Sequence, residues 1–125
     1  MNYRSPIIIV PGEPNSIFFE IFFKSLKKLN IKSPIILITT KDLILKQTKK
    51  FKYKKKINFI DIENIKYKRL NNSYLNIVNI NYKNLNSQKK ILSKSNKYIL
   101  NCFETAFYII KKYKFKKFIN GPVNK

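Results

Sequence analysis

Only two glycines occur in this 125-residue chain, and each sits in a proline-containing turn directly after an apolar run. Pro11-Gly12-Glu13-Pro14 follows Pro6 to Val10, and Gly121-Pro122-Val123-Asn124-Lys125 follows Phe118-Ile119. In an α/β protein, the loops leaving the carboxyl ends of parallel strands are where ligands gather. A strand-to-helix turn at Gly12-Glu13 would aim backbone N–H groups at an anion. Gly121 would let a ligand approach the backbone closely, Pro122 would stiffen the turn, and Lys125 would add positive charge at a cleft. Neither turn is a phosphate fingerprint, because GxGxxG and the Walker-type GxxxxGK are both absent. Taken by residue type alone, each also reads as an ordinary turn. Gly12, Glu13, Gly121 and Lys125 are therefore candidates for ligand contact, not for catalysis.

Other chemistry is sparse. Cys102 is the sole cysteine and there is no histidine. No internal disulfide is possible, which fits a reducing compartment. A zinc site of the usual ligand types cannot be built from these residues. A catalytic thiolate would want a histidine partner, so Cys102, on the apolar stripe of a helix, reads as a small core residue. Glu13, Glu20, Asp61, Glu63 and Glu104 show no spacing that would make a metal site or an acid–base pair. No catalytic residue and no metal ligand is assigned. Most of the ten phenylalanines lie at core spacing, which favours packing over base stacking.

The formal charge of +21 invites a nucleic-acid reading. Composition argues against it. Lys, Ile and Asn number 25, 21 and 16, while there is one Ala and there are two Arg. The three abundant types share AT-rich codons and the scarce ones need GC-rich codons. A phosphate-gripping surface favours arginine, whose planar fork matches phosphate. Here the lysines are scattered over the whole chain. A true multi-phosphate binder would show a steep salt dependence.

The elements that must position the two turns follow from periodicity. Pro6 to Val10 and Pro34 to Ile38 are continuous apolar runs, the pattern of strands buried on both faces. Ser16 to Leu29 reads as a helix: Phe18, Phe22, Leu26 and Leu29 recur at helical spacing, with Asn15 or Ser16 as N-cap. Thr40 caps a short helix over Lys41 to Lys50. Ile57 to Ile62 and Leu75 to Ile80 read as strands, with Glu63 to Ser73 as loop and Tyr82 to Lys94 as an exposed connection. Ser95 to Lys114 is the longest predicted helix, its stripe marked by Ile99, Cys102, Phe103, Ala106, Ile110 and Tyr113. Strand, helix, strand, helix with short connections predicts an α/β fold with a largely parallel sheet and flanking helices. The first apolar run is too short for a signal peptide, and no stretch approaches the ~20 apolar residues of a membrane span. A cytoplasmic protein is expected.

Taken together, the two turns resemble a known family. Pro11-Gly12-Glu13-Pro14-Asn15-Ser16-Ile17-Phe18-Phe19-Glu20 resembles the PGEPAGIGPE signature of 4-hydroxythreonine-4-phosphate dehydrogenase, and Gly121 to Lys125 resembles its GPVHK or GPVNK loop. Asn96, Glu104 and Ala106 fit the long helix before that loop. The first signature departs at the Ala-Gly pair and at Phe18, which replaces a glycine and narrows any close approach there. The resemblance implies the N-terminal part of an isocitrate/isopropylmalate-dehydrogenase-like fold, in a dimeric enzyme with two domains around a cleft. It implies oxidation of the secondary alcohol of 4-phosphooxy-threonine by NAD, followed by loss of carbon dioxide, in pyridoxal phosphate biosynthesis. It also implies a divalent metal (zinc, magnesium or cobalt) held by three histidines. Those histidines and the family's substrate residues fall beyond position 125. Residues 1–125 thus read as one incomplete α/β segment of a longer enzyme, inactive and poorly soluble by itself. A basic nucleic-acid-binding module and a degenerate, functionless fragment are the competing readings.

Overall fold

A computed structural model describes residues 5–14, 16–80 and 94–122. These described residues form five strands and three α-helices. They are β1 (Ile7–Val10), α1 (Phe18–Lys28), β2 (Ile35–Thr39), α2 (Lys41–Lys50), β3 (Ile57–Phe59), β4 (Leu75–Asn79), α3 (Lys94–Tyr113) and β5 (Lys117–Asn120). The strands form one sheet in the order β3-β4-β2-β1-β5. Every pairing is parallel, as the sequence pattern predicts; Ile9 lies opposite Leu37 on one side and Ile119 on the other.

Two apolar layers sandwich the sheet. Ile9, Leu37 and Ile77 point to one face, where Phe19, Phe22 and Phe23 of α1 and Ile44 of α2 cover them. Ile8, Val10, Ile36, Ile38 and Val78 point to the other, beneath Tyr98, Cys102, Ala106 and Ile109 of α3. The alternation explains why β1, and β2 from Ile35 to Ile38, are apolar at every position: both faces are buried. α1 and α2 connect strands progressing toward β3. The segment between β3 and β4, and α3, connect strands progressing the opposite way. Uniformly right-handed crossovers put these two sets on opposite faces, and that is where their buried side chains lie.

Some boundaries differ from the sequence reading. α1 starts at Phe18, and its N-cap is Ile17, with no side-chain cap. Ser16 instead stands one residue earlier and accepts the Phe18 N–H at 3.2 Å. β3 stops at Phe59 because Asp61 turns the chain, its carboxylate accepting the Glu63 N–H at 3.0 Å. A short 3-10 turn, Tyr67–Arg69, lies within the predicted loop. The connection expected over Tyr82 to Lys94 lies, up to residue 93, outside the described residues. On α3 the buried stripe includes Tyr98 and Ile109, which the sequence reading left out. Tyr98 is buried because its hydroxyl pairs with the Thr39 hydroxyl at 2.7 Å, which ties α3 to the carboxyl end of β2.

Both α2 and α3 end in Schellman caps built on lysine. Tyr53 N–H reaches Thr48 C=O (2.9 Å) and Phe115 N–H reaches Ile110 C=O (3.2 Å). Lys52 and Lys114, just before, hold φ of 53° and 60°. Left-handed angles cost a side-chain-bearing residue about 1 kcal/mol that glycine avoids. Lys52→Gly and Lys114→Gly should each raise stability by about 1 kcal/mol, read as a higher urea midpoint. An unchanged or lower midpoint would mean the caps do not form.

Candidate functional site

The order of the strands singles out one place. From β1 the chain works outward through β2 to β3 and β4. It then recrosses the sheet through α3 and adds β5 on the other side of β1. The direction of progression reverses between β1 and β5. In open α/β sheets the crevice at the carboxyl ends of two such strands is where ligands bind. The turn after β1 holds Gly12 and Glu13, and the turn after β5 holds Gly121 and Pro122. Two segments more than a hundred residues apart in the chain therefore meet at the switch point.

They meet backbone to backbone. Glu13 N–H donates to Pro122 C=O at 2.7 Å, and Gly121 N–H donates to Val10 C=O at 2.8 Å. The Asn120 side-chain amide donates to Gly121 C=O at 3.0 Å. Gly12 has φ of 80°, and a Cβ there would lie 2.2 Å from the Pro122 oxygen. A Cβ on Gly121 would lie 1.9 Å from the Pro11 oxygen and 2.8 Å from the Phe18 ring. Both positions require glycine, the first for conformation and space, the second for space. Phe18 stacks on Phe22 at 5.4 Å and so stands against the turn, the narrowing its replacement of glycine predicts.

Gly12, Glu13 and Gly121 are thus brought together; Lys125 lies outside the described residues. The direct contact between the turns is not readable from their residue types. In a chain so poor in glycine, the two glycines mark positions where a Cβ has no room.

On the side where a Cβ would stand, Gly12 faces Gly121 and Pro122, and Gly121 faces Pro11 and Phe18, so a phosphate group does not fit between the two turns. A resident metal does not fit these residues either. The chain has no histidine, and among the described residues no three of His, Cys, Asp and Glu cluster. Glu63 accepts hydrogen bonds from the Tyr108 hydroxyl and, at 3.0 Å, from Lys112 Nζ. These bonds, Tyr108 first, hold its carboxyl below the usual range. The group is solvent-exposed and ties the segment after β3 to α3 without enclosing space for a ligand.

Cys102 is buried, as expected of a core residue, with Sγ 3.6 Å from Ile38 C=O. Burial pushes its thiol up to about 12, opposed by a hydrogen bond with Tyr98. At pH 8 the native protein should react with iodoacetamide at least tenfold more slowly than the urea-unfolded chain, because only the thiolate attacks. Equal rates would contradict this burial.

No protein-family profile matches the chain, and no curated protein matches it in sequence. Solved structures do match. The 4-hydroxythreonine-4-phosphate dehydrogenase from Burkholderia phymatum aligns over 99% of this chain with a TM-score of 0.74 and 16% identity. That from Klebsiella pneumoniae aligns over 100% with a TM-score of 0.72 and 16% identity. This chain has their fold. The resemblance read from the two turns is borne out at that level, and so is the parallel α/β architecture it implied. The chain spans 38% and 39% of the length of these two dehydrogenase structures. Among the described residues, no helix is long and apolar enough to cross a membrane.

Proposed function

We propose that these residues form one wall of the cleft of an NAD- and metal-dependent dehydrogenase acting on 4-phosphooxy-L-threonine in pyridoxal phosphate biosynthesis. The observation that carries this reading is the meeting of the two signature turns at the switch point of a sheet shared with such dehydrogenases. The reading includes a cytoplasmic homodimer. Within the wall the roles divide. Gly12 and Gly121 lock the two turns together through their backbones. Glu13, at this junction, and Lys125, by its charge, are the candidates for ligand contact. A bound divalent metal would polarise the substrate alcohol. With no ligand for it in these residues, no step of the reaction is assigned to this chain.

The test is NADH formation from NAD and 4-phosphooxy-L-threonine with added magnesium, zinc or cobalt. The 125-residue chain should give none. The longest polypeptide encoded by its reading frame should give NADH, and chelation should abolish it. Failure of that polypeptide, together with absence of a three-histidine set in it, would overturn the reading.

A further inference from the structure

Of the 16 asparagines in the chain, only Asn120 precedes a glycine, and it stands inside the junction of the two turns. The carboxamide carbon of an asparagine can be attacked by the backbone nitrogen of the next residue. Glycine makes that attack easiest, because no Cβ shields its nitrogen. Every other asparagine precedes a residue that carries a side chain.

The fold holds each reacting group at this step. Asn120 lies opposite Val10 in the parallel pairing of β5 with β1. The attacking atom would be Gly121 N, and the proton it must lose is donated to Val10 C=O at 2.8 Å. The nitrogen that must leave is held too, since Asn120 Nδ2 donates to Gly121 C=O at 3.0 Å. Burial separates the two residues further: Gly121 is buried and Asn120 is exposed. Water therefore reaches the carboxamide, whereas the nucleophile stays covered while the strands pair.

We propose that Asn120-Gly121 is a site of spontaneous deamidation, blocked while β5 pairs with β1 and released when this junction parts. On opening, Gly121 N gives its proton to a base and bonds to Asn120 Cγ. The side-chain nitrogen leaves as ammonia, taking a proton from water, and a five-membered succinimide remains. Water then opens the ring. Breaking the bond between Gly121 N and Cγ gives aspartate. Breaking the bond between Gly121 N and the Asn120 carbonyl carbon gives isoaspartate. Water is consumed, ammonia is released, and nothing is oxidised or reduced. The chemistry requires no activity of the chain, so it stands apart from the dehydrogenase reading.

Either product resists reclosure. Isoaspartate adds a methylene to the main chain directly before Gly121, which moves its N–H out of register with Val10 C=O. Aspartate loses the donor to Gly121 C=O and sets a carboxylate beside that carbonyl. The step is thus one-way, and it marks chains whose switch-point junction has opened.

The test follows Asn120 by peptide mapping and mass spectrometry in the 125-residue chain at pH 8, in buffer and in guanidinium. Deamidation in guanidinium should be at least about tenfold faster than in buffer, because only the opened fraction of the folded chain reacts. Asn120 should also be the fastest of the asparagines in guanidinium. Gly12→Ala leaves Asn120-Gly121 intact and strains the facing turn, so in buffer it should raise the rate toward the unfolded value, whether or not it folds. Equal rates for the parent in buffer and guanidinium overturn the proposal. So does a faster reaction at another asparagine in guanidinium, or a Gly12→Ala rate no higher than the parent's. The purified isoaspartate form should unfold at lower guanidinium than the parent, and an equal midpoint overturns the one-way step.

Discussion

Gly121→Ala should destabilise the protein by about 3 kcal/mol, the upper range for forcing extra atoms into a filled site. The added methyl would sit 1.9 Å from the Pro11 oxygen, which is backbone and cannot rotate away. Relief requires β5 to part from β1 at its carboxyl end, breaking the Gly121–Val10 and Glu13–Pro122 hydrogen bonds. Gly12→Ala should cost a similar amount, since a left-handed angle adds about 1 kcal/mol to the clash with Pro122. Glu13→Ala is the control. Glu13 contributes its backbone N–H to the junction, so the change should stay within about 0.5 kcal/mol. Phe18→Ala in the Gly121→Ala background should recover only part of the loss, because the ring is the second obstacle and the Pro11 carbonyl the first. Urea midpoints measure all four. If Gly121→Ala matched the parent, the turns would not touch, and the case for a shared cleft would lose its physical basis.

The sheet was legible in the sequence wherever burial was complete. β1 is apolar at every position and β2 from Ile35 to Ile38, and only a strand covered on both faces requires that. The helices were legible from Phe22, and from Cys102 and Ala106, at helical spacing; on α1 the rings buried beside Phe22 are Phe19 and Phe23, whereas Leu29, read as part of the stripe, is the exposed C-cap. Tyr98 escaped because its burial depends on a partner, Thr39, 59 residues away, and local periodicity cannot report a distant hydroxyl. The end of β3 escaped for a related reason: Ile60 and Ile62 continue the apolar alternation, but Asp61 turns the chain between them. Long-range geometry at the candidate site was legible only through resemblance. Nothing local in Gly12 or Gly121 says that each is the other's neighbour. Composition also obscured roles. Treating lysine and asparagine as products of codon bias explains their number but says nothing about single positions, and some of those asparagines hold the amino end of the sheet together.

Asn76 is the clearest of these, and its removal should rank with the glycine substitutions in effect. It is the buried amide of β4, 1% exposed. Its Nδ2 donates to Ile35 C=O at 3.2 Å and to Asn71 C=O at 3.0 Å, while its Oδ1 accepts from Asn58 at 3.0 Å. Three strands, β2, β3 and β4, are linked through one side chain. Neighbouring Asn72 extends the link, accepting the Ile35 N–H at 2.9 Å and donating to Ser33 C=O at 2.7 Å. Deleting one partner of a buried hydrogen bond strands the other, at about 1–3 kcal/mol each. Asn76→Ala strands up to three groups, and water can reach Asn58, so the expected loss is about 3 kcal/mol. Asn76→Asp keeps the shape but replaces two donors by a carboxylate facing two carbonyls. It should be worse than alanine at neutral pH. Burial beside carbonyls raises the pKa of such a carboxyl above that in the unfolded chain. Its penalty is therefore complete above the folded pKa and fades as pH falls toward about 4, where the protonated acid can donate one bond. The difference in urea midpoint between the aspartate and alanine variants should shrink or reverse between pH 7 and pH 4. A gap that stays constant over that range would mean the amide is not buried among acceptors and that the strands are joined some other way.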